Sequence, residues 1–176
     1  MKSRARRLFF ALWPDEQLRT ALSHATQEAL HASGARPVPV SNWHSTLVFI
    51  GSVGEERMSS IVGAAASLRF EPFQLVFDRI EHWAKPAVLC AVATDPPLAA
   101  QSLVSQLRGA LVEQGFTLDP KPWRPHVTIA RKVAHAPPQS AIQPIRWKVQ
   151  DLALVESETR PEGARYKVCE LLSPRS

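Results

Sequence analysis

The sequence predicts an α+β fold: two lobes of pseudo-symmetric, duplicated β-α-β units, with two antiparallel sheets facing a central cleft and helices outside. Three observations carry the prediction. Short apolar runs alternate with stretches of helical periodicity. The order strand, helix, extended linker, strand occurs twice. Equivalent landmarks keep a nearly constant separation, 81 residues from Leu8 to Leu89 and 82 from His44 to His126, as expected of a repeated unit. A pseudo-twofold axis then sets any group at an equivalent position once on each side of a shared cleft.

The elements follow in order. Leu8–Leu12 is a short apolar strand ended by Trp13-Pro14. Pro14, Asp15 and Glu16 open a helix, with acids near its positive dipole end. Leu18, Leu22, Ala25 and Ala29 give that helix its apolar face, and Gly34 stops it. Pro37 and Pro39 keep the chain extended up to a strand at Thr46–Ile50, closed by Gly51 and Gly54. A helix from Glu55 to about Leu68 places Met58, Ile61, Val62 and Ala65 on one face. In the second half Val88–Ala93 is a buried strand, and Asp95-Pro96-Pro97 opens a helix with Leu103, Leu107 and Leu111 on its apolar face. Gly115 ends it. A linker with Pro120, Pro122 and Pro125 leads into a strand at His126–Arg131. Further strands are expected at Gln74–Trp83, Trp147–Val155 and Arg165–Leu172, with a loop over Ala134–Pro144.

Composition bounds the function classes. At 176 residues the length implies one domain, 1–176, with pseudo-repeats at about 7–80 and 88–160. The apolar content of 45% excludes disorder as the main state. Cys90 and Cys169 are too few for a disulfide framework and lack metal-ligand spacing, so both read as reduced, buried thiols in a cytoplasmic protein. The longest apolar runs fall far short of the roughly 20 residues a membrane span needs. Pro14, Asp15 and Glu16 cut the first run too early for a secretion signal. The net charge of +5 permits an anionic partner such as RNA without identifying one.

The chemistry lies in a repeated motif: His44-Ser45-Thr46-Leu47 and His126-Val127-Thr128-Ile129. On a strand, residues two apart share a face, so two imidazoles and two hydroxyls line one concavity. Seven Thr in 176 residues give each His roughly a 4% chance of Thr two places on, so two such matches among six His are improbable, more so in register with a repeat. A lone strand His is more often structural and a strand Thr is often there for β propensity; His24, His31, His82 and His135 keep that reading. The pair suits cleavage of a phosphodiester. One neutral imidazole takes a proton from water, and the other, as imidazolium, gives one to the leaving oxygen. Thr46 and Thr128 can donate to the non-bridging oxygens, where charge builds up. Neither step needs a metal or another cofactor.

These residues resemble the two-histidine phosphoesterases, and specifically the bacterial RNA 2′,3′-cyclic phosphodiesterases once called 2′-5′ RNA ligases. The likeness rests on Arg7-Leu8-Phe9-Phe10-Ala11-Leu12, on Asn42 to Leu47 followed by Phe49-Ile50-Gly51, and on Trp123-Arg124-Pro125-His126 through Arg131. Leu154-Val155-Glu156-Ser157, Gly163 and Tyr166 extend it over nearly the whole chain. The resemblance implies a metal-free enzyme that opens a terminal 2′,3′-cyclic phosphate on RNA to leave a 2′-phosphate, with His44 as proton donor to the 3′ oxygen and His126 as base for water. The expected partners are RNA ends or nucleotide cyclic phosphates, with no membrane and no obligate protein partner, and the chain is expected to be a monomer. Ser45 departs from the family pattern, where an apolar residue is usual; pointing away from the cleft, it costs packing rather than chemistry.

The remaining candidates are Arg131, Arg124 and Trp123. Arg131 lies five residues past His126, an odd offset that turns it away from the site on an ideal strand. The resemblance nonetheless implies an arginine near the phosphate, which requires a strand end or a bulge. Arg124 is either a phosphate ligand or a clamp on the proline-rich linker. Trp43 and Trp123 either stack on a nucleobase or pack in the core. The basic run Lys2–Arg7 reads as a solvated or frayed terminus. Within the superfamily, a 2′-5′ RNA ligase or small cyclic-nucleotide phosphodiesterase is the alternative; outside it, a non-catalytic RNA-binding module.

Overall fold

The computed structural model describes residues 5–138 and 140–173. Among these residues nine strands form two antiparallel sheets. The first takes the order β3-β1-β8-β9, from β1 (Arg6–Leu12), β3 (Ser45–Val53), β8 (Leu152–Arg160) and β9 (Gly163–Leu172). The second takes β2-β6-β5-β4-β7, from β2 (Arg36–Pro37), β4 (Phe73–Trp83), β5 (Val88–Val92), β6 (His126–Arg131) and β7 (Ser140–Val149). The halves of the chain therefore exchange strands: β4 joins the sheet built around β5 and β6, and β8 and β9 join the one around β1 and β3.

Helix α1 (Glu16–Ala32) is capped by Asp15, whose Oδ1 accepts from the Leu18 amide at 2.7 Å, satisfying one of the free N–H groups of the first turn. It packs against β7, β5 and β6, and α3 (Leu98–Glu113) packs against β3 and α2 (Met58–Ala66). Leu18 and Leu22 of α1, and Leu103, Leu107 and Leu111 of α3, are buried as their spacing predicts. Gly34 follows α1 at φ +56°, a left-handed conformation that glycine takes without strain. None of the described helices is long and apolar enough to cross a membrane.

Several expectations change. The strand expected at Trp147–Val155 is two strands, β7 ending at Val149 and β8 starting at Leu152, because the chain passes at Gln150-Asp151 from one sheet to the other. The loop expected over Ala134–Pro144 ends at Ser140, where β7 begins as an edge strand that tolerates Pro144. The helix from Glu55 starts as a short 3₁₀ turn and stops at Ala66. Cys90 is buried, whereas Cys169 is only half-buried. Lys2 and Arg4 lie outside the described residues, but Arg6 is no frayed end: it sits in β1 and pairs with Glu156 at 2.8 Å.

Each sheet carries apolar residues on both faces. Leu8, Phe10 and Leu12 of β1 and Leu89 and Ala91 of β5 join the main core with the helices. The alternate residues form two small layers, Phe9 and Ala11 with Ala153 and Val155 in one sheet, and Val88, Cys90 and Val92 in the other. Those layers are the floors on which the site is built.

Candidate active site

His44 stands immediately before β3 and His126 opens β6. Their rings are held alike. His44 Nδ1 meets the Asn42 carbonyl oxygen at 2.7 Å, and His126 Nδ1 meets that of Arg124 at 2.7 Å. A carbonyl only accepts, so Nδ1 carries the hydrogen in both rings and each neutral imidazole presents a bare Nε2. The same local turn, a carbonyl two residues back, sets both tautomers.

The surroundings differ. His44 lies against Phe9 at 5.0 Å, stacks on Trp13 at 5.7 Å and 11°, and meets Tyr166 edge-on at 4.8 Å. Burial pushes its pKa down to about 4, against the Asn42 hydrogen bond; His126, Arg131 and Arg19 push the same way as burial. Arg19 lies over the Trp13 ring, 5.7 Å from its centre. His126 packs on Trp83 at 4.5 Å. Burial lowers its pKa as well, opposed by the Arg124 carbonyl and aided by the Arg124 charge. Both rings are thus neutral at neutral pH until something anionic arrives.

Strand irregularities decide what else faces the cleft. In the β5–β6 ladder Cys90 pairs with Thr128 but Leu89 pairs with Ala130, leaving Ile129 as an extra residue. Beyond that bulge the parity inverts. Val88, Cys90 and Val92 share a floor, and their partners Arg131, Thr128 and His126 therefore share its face. Arg131 is turned onto the cleft after all, by the bulge its odd offset requires. Leu47 is the matching extra residue in β3, between Val48 paired with Phe10 and Thr46 paired with Ala11. That bulge turns Phe49, paired with Phe9, onto the other floor, where it is 55% exposed and 5.4 Å from the Phe9 ring. Phe49 and Arg131 both stand five residues after a histidine. By the same registers Phe10, not Leu8, is the counterpart of Leu89.

The other sequence candidates separate. Thr46 and Thr128 are half-buried on the histidine face, and Thr128 Oγ1 lies 3.8 Å from Cys90 Sγ. Burial pushes the Cys90 thiol up to about 12, so it remains protonated and is no nucleophile. Arg124 pairs with Glu81 at 2.9 Å and lies over Trp83 at 5.0 Å. Burial raises the Glu81 carboxyl, but hydrogen bonds from Trp83 and Arg124 outweigh it and hold it below its ordinary value. Arg131 has no ion-pair partner among the described residues. Trp123 is half-buried and its Nε1 donates to the Thr46 carbonyl at 2.9 Å. Trp43 is a core residue, 2% exposed, with Nε1 donating to Val38. Ser45 is fully buried, its hydroxyl without a partner among the described residues.

Trp13, Trp83 and Phe49 were not legible as site residues. Trp13 and Trp83 lie far from either motif in sequence; the signal available for Phe49 was its shared offset with Arg131. Among the described residues no group of three His, Cys, Asp or Glu side chains is placed to hold a metal ion.

Two antiparallel sheets, each with a histidine at the start of a His-x-Thr strand, define a two-histidine phosphoesterase type of architecture. Residues 13–161 match the 2′-5′ RNA ligase superfamily, and the chain belongs to that family. It is 32% identical, over 96% of its length and 90% of the relative's, to the RNA 2′,3′-cyclic phosphodiesterase of Thermus thermophilus. It is 28% identical to the protein of that name in Escherichia coli, over 76% of each chain. Among solved structures, the Thermus thermophilus protein TT0787 superposes with a TM-score of 0.83 at 31% identity, covering 96% of this chain and 98% of that one. Escherichia coli LigT superposes at 0.89 with 24% identity, covering 98% and 100%.

Proposed function

We propose that this protein hydrolyses the terminal 2′,3′-cyclic phosphate of RNA to a 2′-phosphate end, using His44 and His126 alone as acid and base. The observation that carries the reading is the matched tautomer: two Nε2 atoms, each fixed by a carbonyl bond at 2.7 Å behind it. Its relatives named RNA 2′,3′-cyclic phosphodiesterase support the substrate.

In this mechanism a water gives its proton to His126 Nε2 as its oxygen attacks phosphorus. The bond from phosphorus to the 3′ oxygen breaks, and that oxygen takes the proton of His44 Nε2. Free His44 is held neutral by burial, so it takes up its proton with the anionic substrate, whose charge favours imidazolium. Thr46 and Thr128 donate to the non-bridging oxygens, and Arg131 supplies a positive charge beside them. Both halves of the site come from one chain, so the chemistry needs no second copy; the free thiols suit a reducing cytoplasm.

The test is turnover of an oligoribonucleotide with a cyclic-phosphate end by His44→Ala and His126→Ala proteins of wild-type circular dichroism. Each loses at least roughly 10²-fold in kcat. Full rate in His44→Ala overturns the acid assignment.

A further inference from the structure

The two histidine rings share more than a carbonyl bond. In each case the residue that accepts from Nδ1 is itself tied down by its own side chain. Asn42 Nδ2 donates to the Ala164 carbonyl at 2.9 Å. Arg124 Nη2 donates to Glu81 Oε2 at 2.9 Å. The strand that receives each tether also supplies the ring that meets the histidine, two residues further on. On β9 this is Tyr166, 4.8 Å from His44; on β4 it is Trp83, 4.5 Å from His126.

This likeness is no copy made by the repeat. Sheet order makes β3 and β6 counterparts, then β1 and β5, β8 and β4, and β9 and β7. The two tethering strands, β9 and β4, are therefore not equivalent. The groups differ too: an amide meets a backbone carbonyl in one, and a guanidinium meets a carboxylate in the other. The same hold on a carbonyl and a ring is reached twice by different means.

The charge of each tether suits the histidine it serves. His44 takes up a positive charge as acid, and Asn42 sets no cation beside it. The charges that oppose that protonation come from His126, Arg131 and Arg19 instead. His126 stays neutral as base; burial lowers its pKa, and the Arg124 charge acts in the same direction.

We propose that Asn42 and Arg124 are the positioning residues of the two histidines, each using its side chain to fix the carbonyl that keeps Nδ1 protonated and Nε2 bare. This rests on the acid and base roles proposed above. Which ring nitrogen carries the hydrogen is set by the bond the other makes, and a carbonyl free to swing away no longer sets it. A neutral His126 in the other tautomer presents Nε2–H, which cannot accept the proton of water. Arg124 thus acts through His126 and Trp83, without touching the phosphate.

The test uses protein with isotopically labelled histidine ring nitrogens. A proton–nitrogen correlation spectrum reads each tautomer without substrate at neutral pH, where both rings are neutral. Wild type shows Nδ1–H alone at both. Asn42→Ala gives mixed tautomers at His44 and leaves His126 unchanged. Arg124→Met and the isosteric Glu81→Gln do the reverse, and Arg124→Lys restores a single tautomer. On a cyclic-phosphate oligoribonucleotide, Asn42→Ala and Arg124→Met each lower kcat by roughly 2- to 10-fold, the worth of one hydrogen bond, with KM retained. Arg124→Met combined with Glu81→Gln loses no more than Arg124→Met alone, because the two changes break one contact. An unchanged tautomer in Asn42→Ala or Arg124→Met, or a raised KM with kcat retained, overturns the assignment. Absence of wild-type turnover on cyclic ends sinks the hydrolase reading instead, and the spectra of the free protein still judge the tethers.

Discussion

Trp123 donates its indole N–H to the carbonyl oxygen of Thr46 at 2.9 Å, joining the linker before the second motif to the strand of the first. The bond spans 77 positions and couples the placement of one motif to the other. Trp123→Phe keeps an aromatic ring but leaves that carbonyl without its donor. The expected loss is about 1 kcal/mol, a fall in Tm of roughly 2–4 °C for a chain of this size, together with a lower kcat. Calorimetry and single-turnover rates measure both; unchanged values would mean that the bond does not position Thr46.

Arg131 reaches the cleft only through the bulge at Ile129, whereas Arg124 is tied to Glu81 and Trp83. Arg131→Met therefore lowers kcat/KM on cyclic ends by roughly 10- to 100-fold, the worth of one charged hydrogen bond to an anion. Arg124→Met acts through its support of Trp83 and costs less. The reverse order would make Arg124 the phosphate ligand.

The pH dependence follows from two depressed histidines. Productive enzyme has His44 charged and His126 neutral. In the free protein His44 discharges as pH rises through about 4, so the basic limb of kcat/KM begins well below the ordinary histidine range near 6.5. In the complex the phosphodiester charge raises the pKa of His44, so the basic limb of kcat moves to higher pH. Profiles of the two constants measured together test this, and coincident basic limbs count against uptake of the proton with substrate.

Ser45 buries, on the face opposite the cleft, a hydroxyl with no partner among the described residues. Ser45→Ala removes an unsatisfied polar atom at little cost in packing, so stability is unchanged or rises by up to about 1 kcal/mol, with kcat retained. A loss above about 1 kcal/mol on urea denaturation would reveal a hydrogen bond at that hydroxyl.

Much of this was legible in the chain because periodicity and repetition are local signals. The faces of α1 and α3 could be read from Leu18, Leu22, Leu103 and Leu107, and the His-x-Thr pairs from a period of two. What escaped depended on pairing between distant strands. Nothing near Arg131 announces that Ile129 is an extra residue, since a bulge exists only relative to the partner strand β5. Trp83 and Trp13 become neighbours of the histidines only through sheet order and the turn after β1. Separating β7 from β8 required recognising Gln150-Asp151 as the crossing from one sheet to the other, between apolar runs that otherwise read as one strand.

The most direct measurement is the identity of the RNA end produced. A cyclic-phosphate oligoribonucleotide is incubated with enzyme in excess chelator, and the product is resolved into 2′- and 3′-phosphate strands. With His44 as acid at the 3′ oxygen, the account predicts a 2′-phosphate end at an undiminished rate. A 3′-phosphate end, or activity lost with the chelator, would contradict it.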